Sequence, residues 1–322
     1  MDHRLKAIQQ WLLNEVKLSK FDLKPASSDA SFRRYFRVDT GTETFIVMDA
    51  PPEKEDCQPF VDIAKVLGQA GLNTPRIIAQ DLEQGFLLLS DLGSRLFLDE
   101  LNDDSVELLY GDALNSLQKL QKIPHNSLPL PNYSADLLQQ EMMLFHDWFL
   151  KQHLAIELSK EERAVLFDAF ETLTESALEQ PQVWVHRDYH SRNLMVLDKE
   201  SPGILDFQDA VIGPVTYDLV SLLRDCYIAW PRERVEAWVT TYYQNCDTDL
   251  GGVSGAQFLR WFDLMGVQRH LKAMGIFARL NIRDGKSGYL GDIPRTLAYV
   301  REVCGRYEEL RRFGKLLGRI PE

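Results

Sequence analysis

The spacing of apolar residues changes twice along the chain. Leu5, Ile8, Trp11, Leu12 and Val16 recur at three- and four-residue intervals, which predicts an opening amphipathic helix. Between residues 21 and 52 the pattern alternates, with β-branched and aromatic residues on both sides of a turn at Asp39, Thr40 and Gly41. That pattern predicts a β-hairpin or a small antiparallel sheet. CQPFVDIAKVLGQAG returns to helical spacing and is ended by Gly71, with a strand expected after Pro75. GFLLLSDLG, residues 85–93, predicts a buried strand that runs into a turn.

Beyond Gly93 the helical period dominates. Val106, Leu109, Tyr110, Ala113, Leu117 and Leu120 form one apolar face; Leu137, Leu138, Met142, Phe145, Trp148 and Phe149 form another. A third helix is expected over Lys160–Leu178. Three short apolar runs follow, VWVH, NLMVL and GILDF, separated by polar turns, and the chain is mostly helical again from Asp218. The fold class expected is α+β: a small β-rich N-terminal lobe over residues 1–92 and a larger helical C-terminal lobe over residues 93–322.

Composition narrows the partners. A net charge of -12 leaves no basic excess to neutralise a nucleic-acid backbone. The four cysteines are scattered without a CxxC pair, so neither a zinc site nor a disulfide framework is indicated. No apolar run approaches the roughly 20 residues of a membrane span, and the N-terminus lacks the apolar core of a signal peptide. A cytoplasmic protein without nucleic-acid or membrane partners is expected. Oligomeric state is not legible.

The chemistry concentrates in residues 183–210, VWVHRDYHSRNLMVLDKESPGILDFQDA. His186, Asp188 and Asn193 have the spacing H-x-D-x-x-x-x-N, and Asp206-Phe207 follows one short strand later. That is the pattern of a kinase catalytic loop and metal-binding loop. Phosphoryl transfer asks the protein mainly to align a hydroxyl and to neutralise phosphate oxygens. Asp188 suits the first task as proton acceptor. Asn193 and Asp206 offer oxygen ligands to Mg2+ accompanying ATP. His186 is expected to orient the loop through hydrogen bonds. The alternative for the whole set is solvated loop polarity.

VHRDYHSRNLMV and GILDFQDAVIGPVTYDLVSLLRD resemble the aminoglycoside phosphotransferase and choline kinase family, relatives of the protein kinases. The resemblance implies a bilobal protein-kinase-like fold, Asp188 as catalytic base, and Asn193 and Asp206 as magnesium ligands. It also implies that Asp218 is a structural carboxylate supporting the catalytic loop; the alternative is an N-cap of the helix that follows. SSDASFRRYFRV, VMDAPP and FLLLSDLG together resemble a bacterial subgroup, the anomeric sugar kinases of cell-wall recycling. That implies phosphorylation of N-acetylmuramate or N-acetylglucosamine at the anomeric hydroxyl.

The N-terminal lobe departs from the family pattern. No glycine-rich loop is present; SSDASFRRYFRV stands there, so Ser28 and the turn behind it are expected to face the phosphates. The usual strand lysine is missing, and Asp49 falls near its position. Arg33, Arg34 or Arg37 is expected to supply the charge instead, with Arg33 and Arg37 on one strand face and Arg34 on the other unless the turn at SSDASF extends past residue 33. Backbone groups from Leu89 through Asp91 to Leu92 are expected to hold adenine. Sugar contacts are not assigned; Glu141, His146 and Trp148 fall near one another, while Trp148 and Phe145 fit a core role. The alternatives to a sugar 1-kinase are an aminoglycoside or amino-alcohol kinase, or a catalytically dead nucleotide-binding module.

Overall fold

The computed structural model describes residues 2–28 and 32–320. In chain order the elements begin with α1 (His3–Asn14), β1 (Asp22–Ser28), β2 (Arg34–Asp39), β3 (Thr44–Asp49) and α2 (Gln58–Gln69). Next come β4 (Ile77–Asp81), β5 (Phe86–Ser90), α3 (Phe97–Glu100), α4 (Val106–Gln121) and α5 (Ala135–Leu144). A π-helical segment, Phe145–His153, continues α5 and precedes α6 (Lys160–Leu178). Then follow β6 (Gln182–Val185), β7 (Leu194–Met195), β8 (Gly203–Ile204), β9 (Val211–Pro214) and α7 (Tyr217–Leu223). The chain closes with α8 (Arg232–Asn245), α9 (Gly255–Asp284), α10 (Ile293–Arg306) and α11 (Arg311–Leu317).

The expected α+β class holds: a β-rich first part and a helical second part. The chain divides into two compact units, residues 1–112 with 193–209, and residues 113–192 with 210–322. The sequence reading set the boundary at residue 92. The difference has a physical reason in the first unit, where β7 and β8 hydrogen-bond to the β-rich part. Ile204 N–H donates to Asn73 O at 2.8 Å and Val196 N–H to Arg95 O at 2.8 Å. Short strands gain their stability from such non-local partners, which local patterning does not reveal.

In the first unit β1 to β5 form an antiparallel sheet in the order β1-β2-β3-β5-β4. Phe36, Val38, Val47, Phe86 and Leu88 point to one face, where Ile8, Trp11 and Leu12 of α1 cover them. Burying that apolar stripe fixes the register, because a one-residue slip would turn it to solvent. Asp2 caps α1, accepting from the N–H groups of Arg4 and Leu5.

In the second unit α9 is the long central helix of 30 residues. It packs against α5, the π-helical segment, α6, α7 and α10, with Phe145, Phe149, Leu173, Leu271 and Met274 in the core they share. Gly275 makes the closest approach. A Cβ added there would lie 2.4 Å from the carbonyl carbon of Leu144, where α5 gives way to the π-helical turns. β6 and β9 pair beside this bundle, and β6 delivers the chain to His186.

Candidate active site

The loop that follows β6 is held from beneath by α7. Asp218 stands fully buried in the first turn of α7 and accepts from His186 N–H at 2.6 Å and Arg187 N–H at 3.0 Å. Its carboxylate therefore bonds the loop's backbone and does not cap its own helix, whose N-cap Thr216 makes no side-chain capping bond and donates to Gln180 instead. Burial pushes the Asp218 carboxyl up to about 6, although His186 and the two amides pull it down. Arg187 sits at φ 75, a left-handed conformation that a β-carbon disfavours and that the two amide bonds hold. The turn leaves Asp188 partly exposed, with its N–H on Nδ1 of His186 at 3.2 Å.

Asp188 is surrounded by positive charge. Burial raises its pKa, but Lys272, His190, Arg269 and His186 more than offset this, so it lies below the ordinary carboxylate range. It is ionised at neutral pH. Lys272 comes from α9 and donates to Glu141 at 2.9 Å and to the Tyr217 hydroxyl at 3.1 Å. Glu141 also pairs with Arg187 and accepts from Tyr133. Burial pushes Glu141 up, but Lys272 and Arg187 pull it below its usual value, so the buried cluster keeps its charges.

Asp225 ties the far side of the loop, accepting from Ser191 N–H at 2.9 Å and from Tyr227 N–H at 2.9 Å. Sequence reasoning missed Lys272, Arg187 and Asp225, and placed Glu141 only as a possible sugar contact. For Asp225 a signal existed: it follows Asp218 by seven residues, two helical turns. Nothing near Lys272 in sequence marks it, because its partners lie more than 50 positions away. His146 pairs with its neighbour Asp147, Phe145 lies in the core, and Trp148 packs against it.

In the first unit, Asn193 and Asp206 stand at the two ends of the β7–β8 hairpin. Leu205 N–H donates to Asn193 O at 2.9 Å, which clamps the two positions together. Asp206 takes a left-handed φ of 61, is partly exposed, and accepts from Gln208 Nε2 at 2.8 Å. Phe207 behind it packs on Phe60 of α2, ring centres 4.7 Å apart and planes tilted by 34°. Arg33 lies 3.5 Å from Asp206.

Several expectations for this unit need correction. Arg34 and Asp49 are opposite one another in the β2–β3 ladder and share the face covered by α1. Buried Asp49 accepts from Arg4 Nε at 2.7 Å and Arg34 Nε at 2.9 Å, and Arg34 also pairs with Asp2. Asp49 is thus a structural anchor for α1, and Arg34 is its counter-charge. Arg33 precedes β2, so the turn extends past residue 33 and strand alternation does not place it. Alternation puts Arg37 on the other face. There Arg37 pairs with Asp91 at 2.6 Å and donates to Gly93 O at 2.7 Å. The Asp91 side chain is therefore engaged in fixing the turn, whose Gly93 N–H it also accepts at 2.9 Å. Leu89 is buried, and its backbone lies inside the ladder between β3 and β4, so only chain beyond Ser90 has left the sheet. Residues 29–31 and the side chain of Ser28, expected at the phosphates, lie outside the described residues.

Among the described residues no group of three or more His, Cys, Asp or Glu side chains could hold a metal. The pair Asn193 and Asp206 still suits Mg2+, which takes one or two protein oxygens and completes its shell with phosphates and water. Among the described residues no helix is long and apolar enough to cross a membrane, and all four cysteines are free thiols.

Residues 22–253 match the model of the phosphotransferase enzyme family. The N-acetylmuramate/N-acetylglucosamine kinase of Pseudomonas aeruginosa is 50% identical over 94% of this chain and 89% of its own. The enzyme of the same name from Pseudomonas putida is 46% identical over 99% of this chain and 97% of its own. Among solved structures, the choline kinase of Streptococcus pneumoniae matches 94% of this chain and 100% of its own, with a TM-score of 0.63 at 13% identity. The ethanolamine kinase of Plasmodium vivax matches 91% and 85%, with a TM-score of 0.65 at 12% identity. The kinase-like fold inferred from the HRD and DF motifs is therefore present, and the chain belongs to the phosphotransferase enzyme family.

Proposed function

We propose that the protein is an ATP-dependent kinase that phosphorylates the anomeric hydroxyl of N-acetylmuramate and N-acetylglucosamine. The observation that carries the acceptor class is 50% identity, over 94% of the chain, to an enzyme named for those two sugars. In this reading Asp188 accepts the hydroxyl proton as the acceptor oxygen bonds to the γ-phosphorus and the bond to ADP breaks. A hemiacetal hydroxyl is more acidic than an ordinary alcohol, so it suits a carboxylate held below its usual pKa. Asp218 and Asp225 hold the loop's backbone, and the Glu141–Lys272–Arg187 cluster fixes the charge around it.

Asn193 and Asp206 are the residues assigned to Mg2+, which when bound neutralises phosphate oxygens. Arg33 is the phosphate candidate kept from the β2 region, because it pairs with Asp206, itself assigned to Mg2+, whereas Arg34 and Arg37 pair with Asp49 and Asp91. Adenine is assigned to the backbone following Ser90. ATP as co-substrate makes the cytoplasm the proposed compartment.

The test is a coupled ATP-consumption assay on free sugars and their methyl glycosides. Both free amino sugars should give sugar 1-phosphate, and the methyl glycosides, blocked at the anomeric oxygen, should not react. Equal turnover of glycoside and free sugar would exclude transfer to that oxygen. Faster turnover of choline or an aminoglycoside would favour the other branches of the family.

A further inference from the structure

Arg192 ends the polar loop that begins at Asp188, and its guanidinium rests on aromatic rings, whereas buried Arg269 donates to Cys226 Sγ at 3.6 Å and most other arginines of the second unit pair with carboxylates. The Arg192 guanidinium lies over the Tyr227 ring at 3.7 Å and 5.6 Å from the centre of Tyr289. Arg187 pairs with Glu141, Arg224 with Glu302, Arg232 with Asp263 and Arg295 with Asp292. Among the described residues, no acidic side chain pairs with Arg192. Its side chain is partly exposed, so a full positive charge stands beside the Asp188 loop without a counter-ion.

The placement is rigid. The Asp225 carboxylate takes Ser191 N–H with one oxygen and Tyr227 N–H with the other, so one group positions both the arginine's loop and the ring beneath it. Tyr227 leans on Phe277 at 6.3 Å, and Phe277 stacks on Tyr289 at 5.6 Å with the planes 16° apart. A guanidinium seated on such a wall has few rotamers left to lose when it binds an anion.

We propose that Arg192 is the specificity-determining residue that takes the carboxylate of N-acetylmuramate. The inference rests on the amino-sugar reading above. N-acetylmuramate is N-acetylglucosamine carrying a lactyl ether at its third carbon, and that ether ends in a carboxylate. The carboxylate is charged at neutral pH, and a planar guanidinium meets it with two parallel hydrogen bonds. N-acetylglucosamine presents only a neutral hydroxyl at that carbon. The lactyl group lies away from the anomeric oxygen, so Arg192 acts on sugar binding more than on the chemical step.

The experiment measures kcat/KM for both sugars with the wild type, Arg192→Met and Arg192→Gln. The ratio of N-acetylmuramate to N-acetylglucosamine should fall about ten- to a hundredfold in Arg192→Met, mainly through KM, as the loss of one charge-assisted pair predicts. Arg192→Gln keeps hydrogen bonding without charge and must show a fall in the same direction if Arg192→Met does not fold. An unchanged ratio, whether both sugars slow equally or neither does, overturns the inference and leaves Arg192 as loop support. A wild type inert toward both sugars but active on another alcohol instead overturns the amino-sugar reading, and the assignment of Arg192 with it.

Discussion

Asp218 shows how one buried carboxylate shapes the backbone of a loop. It bonds two consecutive amides and lets Arg187 adopt a left-handed conformation. Its carboxyl, ordinarily near 3.8, is pushed up to about 6 in the fold. The folded protein therefore holds that proton more tightly than the unfolded chain. Its stabilising contribution is complete below about pH 4 and is lost as the pH rises through about 6. The unfolding free energy of the wild type relative to Asp218→Asn should fall by about 2.4 kcal/mol between pH 4 and pH 7, most of what a displacement from 3.8 to about 6 is worth at about 1.4 kcal/mol per pH unit. Urea melts of both proteins across that range measure it, and a pH-independent difference would refute it. At the same scale, Arg33 and Arg34 are neighbours with opposite duties. Arg33→Ala should raise the KM for ATP about ten- to a hundredfold. Arg34→Ala should instead destabilise the first unit by exposing buried Asp49 to a deficit of positive charge, with Arg4 left as its partner. Steady-state kinetics and melting curves of the two variants separate these effects.

Among the elements, α9 carries the second unit, and it does so by close approach at Gly275. A β-carbon there would meet backbone, not a flexible side chain. Gly275→Ala should therefore destabilise the protein by about 1–3 kcal/mol or more through overpacking. Gly266, on the same helix, is the control: a β-carbon there would make ordinary contact with Val220 at 3.7 Å. Gly266→Ala should be neutral or stabilising by up to about 1 kcal/mol, since alanine favours helix. Urea midpoints decide between them; equal effects would mean that the contact with Leu144 yields easily. The π-helical turns begin at that same contact, and their wider winding is uncommon in helices.

For the whole molecule, nucleotide binding is linked to stability. A ligand that binds only the folded state stabilises it by about 2.7 kcal/mol at a concentration a hundred times its dissociation constant. Mg-ATP should raise the melting temperature of the wild type, and more than ATP with a chelator does. Asp206→Ala should lose most of that magnesium-dependent increment and keep the melting temperature of the free protein within a few degrees. An Asp206→Ala variant that is stabilised by Mg-ATP as strongly as the wild type would remove Asp206 from the metal site.

The sequence by itself determined the class of the fold and the stretch to which the chemistry is assigned. Apolar periods of two and of three to four residues are local properties, so the β-rich start and the helical remainder were legible. The His186, Asp188, Asn193 and Asp206 spacing was legible for the same reason, because those residues lie within 21 positions of one another. Tertiary structure alone decided which charges oppose each other. Asp49 was placed at a phosphate position by alignment along one strand, yet its neighbours across the ladder and on α1 make it an anchor for Arg4 and Arg34. Leu89 read as an available backbone, yet its neighbours on both sides place it within the ladder. Lys272 was invisible because Glu141 and Tyr217 reach it only through packing. Pairwise contacts between distant segments depend on register and helix rotation, which the whole hydrophobic core sets together and no single stretch encodes.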